Sequence, residues 1–517
     1  MVPAKILWVD DEIESLQSQK MFLESRGYEV QTLTNGFDAI DYVKEHPVDV
    51  VLMDESMPGL TGLETLAKIK FVNPSIPVVL ITRNETENLM EDAIGAQISD
   101  YLIKPVNPNQ VLLSLKKIID NKRLVNAKTT LAYQQQFSNL FTALNSNPGF
   151  SDWMDIYKKL VYWELEIGKA DSPEMEQVLQ TQKAEANTEF FKFISKHYSA
   201  WIQGKEPAPI MSHTLLRHKV LPYLQANKPV FLILIDNLRF DQWKAIQPAF
   251  TEVFRLVEED TFYSILPTAT QYSRNAIFSG MLPLAMQAKF PSEWKNDHDE
   301  GGKNQHEETF LRAQLKQLGM EHLKTSFTKV LHHQSGQELV QNIHNMLRND
   351  LNVIVYNFVD MLSHSRTEME VMKELASDER SYRSITASWF EHSPLLQALK
   401  KIAHKNIQLV LATDHGSIQV KTPSKVLGDR ESTTNIRYKH GRNLNFDAKQ
   451  VLAFKDPRDA GLPAPNINSA YIFAKEDQYL CYPNNYNHFV QYYRNTFQHG
   501  GVSLEEMIIP VVRMESR

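Results

Sequence analysis

The stretch NIQLVLATDHGS, residues 406–417, carries an apolar run through Val410, Leu411 and Ala412 that stops abruptly at Asp414 and His415, with Gly416 behind them. A short apolar run bounded by a turn signal reads as a buried strand, which puts the two polar side chains at its C-terminal end. Burying a carboxylate beside an imidazole is costly unless something pairs with them. Three more stretches carry related patterns. KPVFLILIDNLRFDQW (228–243) reads as a strand ending in Asp236, and LNVIVYNFVDMLSHSR (351–366) as one ending in Asp360, with His364 four residues on. FQHGGVSLEEMIIPVV (497–512) sets His499 before a Gly-Gly turn and a last apolar run. Any one of these residues alone reads as a helix cap or a packed side chain. Three carboxylates and three imidazoles at one sheet edge instead suit a pair of metal ions. Mixed His/Asp ligation without thiolate favours Zn²⁺ over Mn²⁺ or Fe.

The segment SILPTATQYSRNAIFSG (264–280) breaks at Pro267, and a helix is expected to start near Thr270. A hydroxyl at a helix N-terminus sits in positive potential, and beside zinc it could ionise near neutral pH, as zinc-bound water does. Thr270 is therefore the expected nucleophile, with Thr268 the alternative. As a set, Asp236, Thr270, Asp360, His364, Asp414, His415 and His499 resemble the alkaline phosphatase superfamily. PTATQYSRNAIFSG is similar to the Pro-Thr-x-Thr stretch of its nucleotide pyrophosphatase/phosphodiesterase branch, while DNLRFDQW and HGGVSLEE resemble PglZ domains. The resemblance implies one zinc on Asp236, Thr270, Asp414 and His415, and another on Asp360, His364 and His499. Ser273 and Arg274 stand where the diesterase branch has Asn-His, and Asn237 where relatives often have a small residue. Asn237 and Arg274 are carried as candidate substrate contacts, as are Arg437 and Lys439 of ESTTNIRYKHGRN (431–443), for which a solvated loop is the competing reading. NDHDEGGKNQHEE (296–308) reads as an exposed, mobile insertion.

At the other end of the chain, ILWVDDE, VDVVLMDESMPG, IPVVLITRN and DYLIKPV alternate with helical patterns over the first 120 residues or so, as in a parallel sheet covered by helices. Polar residues cluster where these strands end: Asp10, Asp11, Asp54, Thr82 and Lys104. Three carboxylates at such an edge need a hard cation, and oxygen ligands favour Mg²⁺. This segment resembles a two-component receiver domain. The resemblance implies Asp54 as phosphoacceptor, with Mg²⁺ on Asp11, Asp54 and the Ser56 carbonyl, assisted by Asp10. It also implies Lys104 as the grip on the acyl phosphate, Thr82 and Tyr101 as the switch pair, and a histidine kinase as partner. Pro105 is a reasonable site for a cis peptide.

Between the two ends, helical periodicity continues from about Gln110 to Ser146, resumes from Trp153 to Ile167, and restarts at Pro173. Another helix is expected around Thr214 to Gln225. The expected fold class is α/β throughout: a flavodoxin-like receiver (1–122), a helical connector (123–205) and a larger alkaline-phosphatase-like domain with a mostly parallel sheet (206–517). This order resembles the PorX-like response regulators of type IX secretion control.

The 517 residues exceed one ordinary core, and 42% apolar with 23% charged residues describes a globular chain. A formal charge of -7 argues against a dedicated duplex-DNA binder. One cysteine, Cys481, excludes internal disulfides and reads as a packed thiol. No signal-peptide pattern or membrane-length apolar run is evident, and a cytoplasmic protein is expected. The leading functional expectation is a phosphorylation-controlled two-zinc phosphodiesterase acting on short or cyclic oligonucleotides, dimerising on phosphorylation. Two alternatives stand beside it. One is a non-catalytic transcriptional regulator or adaptor with structural metals. The other is a phosphomonoesterase drawing extra positive charge from Arg239 or Arg274.

Overall fold

The computed structural model describes residues 4–74, 76–83, 98–170, 172–224, 228–368, 374–376, 378–428, 433–464 and 468–517, except for the side chains of 120–128 and 364–368. The chain divides into two compact units, residues 1–135 with 170–172, and residues 136–169 with 173–517.

In the first unit, β1 (Lys5–Val9), β2 (Glu29–Leu33), β3 (Val50–Asp54), β4 (Val78–Thr82) and β5 (Asp100–Ile103) form one sheet in the order β2-β1-β3-β4-β5. All its pairings are parallel, the doubly wound order of flavodoxin-like folds. β3 and β4 are buried along their whole length, which is why both read as unbroken apolar runs. The Lys104–Pro105 peptide is cis, as the tight loop suggested.

The second unit is built on a six-stranded sheet. β6 (Val230–Ile235), β7 (Phe254–Tyr263), β8 (Thr325–Val330), β9 (Leu351–Tyr356), β10 (Gln408–Ala412) and the last strand, Ile508–Ser516, take the order β7-last-β10-β6-β9-β8. β10, β6, β9 and β8 run parallel, and the last strand lies antiparallel between β10 and β7. The register of β6 on β10 pairs Leu234 with Ala412. Asp236 and Asp414, each two residues further on, are thereby brought side by side. Asp360 departs from expectation: β9 ends at Tyr356, and Asp360 lies in the first turn of the following helix, Phe358–Glu368. The helix expected around Thr214–Gln225 is likewise broken, into turns Ser212–Thr214, Leu215–Lys219 and Leu221–Tyr223, with Pro222 interrupting it. Among the described residues no helix is long and apolar enough to cross a membrane.

A continuous helix, Pro108–Asn145, leads into helices Phe150–Ala170 and Pro173–Ile202. The last two pack against the large sheet through aromatic contacts such as Phe190 on Tyr263, and Phe190 is fully buried, as core packing requires. They also place charge inside the protein. Lys183 bonds Glu164 at 2.7 Å and Glu379 at 2.9 Å and lies 3.8 Å from Glu505. Arg383 bridges Glu164 to Asp241, and Arg239 bridges Asp241 to Glu379. Burial alone would raise the pKa of Asp241 and Glu379, but the surrounding cations outweigh it and hold both below the usual range. Asn187 adds hydrogen bonds to the Leu504 amide and to Glu505, at 2.8 and 3.1 Å.

Removing one partner of a buried pair leaves an uncompensated charge. Lys183→Met is therefore expected to destabilise the second unit by ~3–5 kcal/mol in urea unfolding. Lys192→Ala, at an exposed pair on the same helix, should stay within about 0.5 kcal/mol of wild type. Equal effects would mean that the network carries no stability.

Candidate functional site

Helix Thr270–Ser279 starts at Thr270 as its spacing predicts, with Ala269 as the preceding cap. Thr270 Oγ1 lies 3.0 Å from His415 Nε2 and 3.4 Å from Asp236 Oδ1. Thr268 is different. It is fully buried, donating to the Gly501 carbonyl and accepting from the Gly500 amide, each at 3.0 Å. Of the two threonines, only Thr270 faces the carboxylate and imidazole cluster and lines the cleft above it.

Both imidazoles are oriented by the backbone. His415 Nδ1 contacts the Gly416 carbonyl at 3.1 Å and His499 Nδ1 the Thr268 carbonyl at 3.2 Å. A carbonyl accepts only, so each Nδ1 carries the proton and each Nε2 presents its lone pair inward. The rings stack with centroids 4.2 Å apart. His415 Nε2 sits 3.6 Å from Asp236 and 3.9 Å from Asp414, and His499 Nε2 sits 3.7 Å from Asp360. Gly416 is required here because a Cβ would meet the Glu505 carbonyl at 2.0 Å. A Cβ on Gly501 would likewise meet the Ala474 carbonyl at 2.6 Å, which explains a glycine close behind His499.

Asp236, Asp414 and His415 each offer a ligand atom within 4.8 Å of the others, and all three are buried. Asp414 Oδ2 accepts no hydrogen bond. Burial first, and then the adjacent Asp236, raise the Asp414 pKa well above its ordinary value; burial lowers that of His415. An orphaned carboxylate oxygen beside a second carboxylate and an inward imidazole nitrogen fits a divalent cation with mixed nitrogen and oxygen ligands. Asp360 and His499 extend the cluster. His364 falls one helical turn after Asp360, but its side chain lies outside the described residues.

The candidate substrate contacts divide. Arg274 lines the cleft, its Nη1 2.6 Å from Asp236 and its Nε 2.6 Å from the fully buried Glu307. Asn237 is fully buried in a left-handed conformation (φ 61°), its backbone amide giving a 3.2 Å hydrogen bond to Asp414 and its side chain a 3.4 Å one to Asp360. It positions the carboxylates. Arg437 and Lys439 are not surface cations, since strand Tyr438–Gly441 draws their segment into a small sheet. Arg437 is fully buried against Glu506 at 2.6 Å, and Glu506 in turn holds the Gly501 amide at 2.9 Å. Lys439 donates to the Thr433 carbonyl at 3.0 Å over the Tyr482 ring, and burial pushes its pKa down to about 7.

The 296–308 tract is the largest surprise. Instead of standing free, it is fastened to the helix that starts at Thr270. Asn304 donates to the Thr270 carbonyl, and Asn275 to the Lys303 carbonyl, each at 3.1 Å. Asp297 accepts from Tyr272 and Tyr438 and lies 2.8 Å from His440. Its polarity signalled solvent, and His298, Asp299, Glu300, Gln305 and Glu308 are exposed, but Asp297, Asn304 and the Lys303 carbonyl pin the segment down. The tract and β8 form one wall of a 760 Å³ cleft whose floor includes Asp236, Thr270 and Asp360.

In the receiver unit, Asp10, Asp11 and Asp54 meet at the strand ends as a second possible cation site. Lys104 Nζ reaches Asp10 at 2.9 Å and Asp54 at 3.0 Å. Burial is the main cause of the raised Asp54 pKa, opposed by Lys104. Thr82 ends β4, half-buried Tyr101 lies in β5, and Ser56 is in the exposed turn after Asp54.

Comparison with known proteins divides the chain in three. The receiver domain of response regulators matches residues 6–116, the PorX response regulator linker domain 123–202, and the BREX system PglZ alkaline phosphatase-like domain 215–514. The chain is 36% identical over 132 residues to the transcriptional regulatory protein ZraR of Klebsiella oxytoca, a match covering 26% of this chain and 30% of that protein's length. It is 31% identical over 139 residues to the transcriptional regulatory protein ResD of Bacillus subtilis, covering 26% of this chain and 58% of ResD. Among solved structures, a CheY-like receiver from Methanospirillum hungatei is 28% identical and covers 23% of this chain and 95% of its own, with a TM-score of 0.23.

Burial beside Asp236 disfavours the ionised form of Asp414, which is expected to cost stability in the metal-free protein. Asp414→Asn keeps the acceptor for the Asn237 amide and removes the repulsion. It is expected to raise the melting temperature of chelator-treated protein by roughly 2–4 °C while lowering bound divalent metal, read by thermal unfolding and elemental analysis. An unchanged or lower melting temperature would show that the pair carries no such strain.

Proposed function

The chain is a response regulator whose output domain belongs to the PglZ alkaline-phosphatase-like family, and from that premise we propose a two-zinc phosphodiesterase acting on short or cyclic oligonucleotides. In this reading the receiver spans 1–122, the connector 123–205 and the output domain 206–517. The observation that carries it is the position of Thr270 Oγ1, 3.0 Å from His415 Nε2 at the floor of the cleft and in the first turn of a helix. Thr270 gives up its hydroxyl proton and attacks the phosphorus in line as one alcohol leaves with a proton, giving a threonine-linked nucleotide that still carries the second ester; water then displaces Thr270, releasing a phosphomonoester and restoring the hydroxyl. Zinc held by Asp236, Asp414 and His415 with Thr270, and by Asp360, His364 and His499, would supply Lewis acidity to the attacking and leaving oxygens. Asn237 keeps Asp414 and Asp360 in place, and the backbone carbonyls fix both imidazole tautomers.

The arginines favour a diester over a monoester. A dianionic monoester needs uncommitted positive charge at the reacting phosphate, and the two arginines considered for it are committed: Arg239 to Asp241 and Glu379, Arg274 to Asp236 and Glu307. A purely structural role for the metals accords poorly with a cluster that opens into a cleft. Thr270→Ala should retain most of the zinc and lose turnover of bis(p-nitrophenyl) phosphate by about 10³-fold or more. If Thr268→Ala is the inactive variant and Thr270→Ala turns over normally, the nucleophile is misassigned.

Control runs through Asp54. A histidine kinase is the partner implied by the receiver, and Mg²⁺ on Asp11, Asp54 and the Ser56 carbonyl, with Asp10 assisting, would serve the transfer while Lys104 grips the phosphoryl group. Repositioning of Thr82 and Tyr101 then promotes a symmetric dimer. The resemblance to PorX-like regulators supports a cytoplasmic role for this output in type IX secretion control. Beryllofluoride is expected to shift wild type toward dimer in sedimentation and to change the diesterase rate, with Asp54→Ala unresponsive. A monomer with an identical rate in both states would remove the coupling.

A further inference from the structure

The outer part of the cleft has its own chemistry. β8 is the edge strand of the large sheet, and Phe327 and Lys329, two residues apart, present to the same side. Leu331, just beyond the strand, is 44% exposed, and Phe327 is half-buried against Phe278. Both line the cleft together with Asn304 and Gln305, and Lys329 donates to the Asn304 carbonyl. The cations differ in their commitments. Lys329 is held by Glu307 at 2.6 Å, and Arg274 shares that carboxylate. Lys303 has no carboxylate within 4.0 Å among the described residues; its ammonium touches only the Asp299 carbonyl of its own loop. The one acid beside it in the lining, Glu308, is bridged to Arg312 at 2.7 Å. Lys303 is also fixed relative to the nucleophile, because Asn275 holds its carbonyl while Asn304 holds that of Thr270.

We propose that this wall is a subsite for the nucleotide adjoining the scissile phosphodiester, with Lys303 taking its phosphate and Phe327 and Leu331 its base. The inference rests on the phosphodiesterase reading and deepens it from a diester to an oligonucleotide bearing a second phosphate. An uncommitted ammonium on a pinned loop matches a phosphate beyond the reacting one. A half-buried aromatic face with flanking amides matches a base, and such stacking tolerates any base. The subsite therefore selects for chain and charge, with little preference for sequence.

The test compares kcat/KM of wild type and Lys303→Met on a 5′-phosphorylated dinucleotide and on bis(p-nitrophenyl) phosphate, which has no second phosphate. The loss is expected to be about tenfold greater on the dinucleotide, with the slope of log kcat/KM against log salt shallower by ~0.7, and Lys303→Arg should restore most of it. An equal loss on both esters, or none, overturns the subsite. Binding separates this failure from that of the underlying reading. In a Thr270→Ala background, anisotropy of a fluorescein-labelled dinucleotide should show Lys303→Met weakening binding by about tenfold. If wild type hydrolyses neither ester yet that loss is seen, the phosphodiesterase reading falls and the subsite stands. If binding is unchanged, the subsite falls regardless of turnover.

Discussion

Two parallel strands in register hold a pair of carboxylates together where water cannot screen them. β6 and β10 pair residue for residue, so Asp236 and Asp414 leave the sheet as neighbours, both buried. Asp414 shows the cost of that setting in a pKa driven upward by burial and by the neighbouring Asp236. The surroundings answer this one strain. Arg274 is drawn onto Asp236, the Asn237 amide onto Asp414, and His415 is turned by its own Gly416 carbonyl to face both. Such an arrangement is poor as a stability device and well suited to holding a cation.

Stability has to come from elsewhere, and much of it lies behind the site. The Leu504–Glu506 turn is the common support: Glu505 packs its carbonyl against Gly416, and Glu506 gathers Arg437, Ser503 and the Gly501 amide. The connector helices hold the same turn through Asn187 and Lys183. The segments bearing Asp236, Asp414 and His499 are thus braced from one side by helices that precede the sheet in the chain. A shift in those helices would be felt first at this turn, which gives the proposed phosphorylation signal a physical route within the second unit.

Much of the fold was legible from periodicity. Unbroken apolar runs marked the buried parallel strands, and Pro173 and Thr270 marked helix starts. The ligand types were legible too, because carboxylates and imidazoles at strand ends have few other uses in such number. Where reading along the chain failed, the local signal was ambiguous in a specific way. Asp360 lies after a strand just as Asp236 does, and only hydrogen bonding shows that a helix has already begun. Arg437 and Lys439 carry the composition of a solvated loop, yet strand pairing takes both inside, one to a buried carboxylate and the other to a backbone carbonyl.

The chain alone therefore determined which groups are present: two clusters of candidate ligands, one of carboxylates and one of carboxylates with imidazoles, a hydroxyl at a helix start, and an aspartate with its lysine at the edge of a separate parallel sheet. These follow from residue type and from local spacing, which survive without knowledge of distant partners. Tertiary structure alone decided which groups are free to act. Thr270 faces the carboxylates while Thr268 is consumed by the Gly500–Gly501 turn more than two hundred residues away. The polar 296–308 tract becomes a wall of the cleft because Asn304 donates to the Thr270 carbonyl and the Lys303 carbonyl accepts from Asn275 of the same helix. A polar side chain's availability depends on what it meets in space, and those encounters are long-range hydrogen bonds and ion pairs that no local pattern encodes.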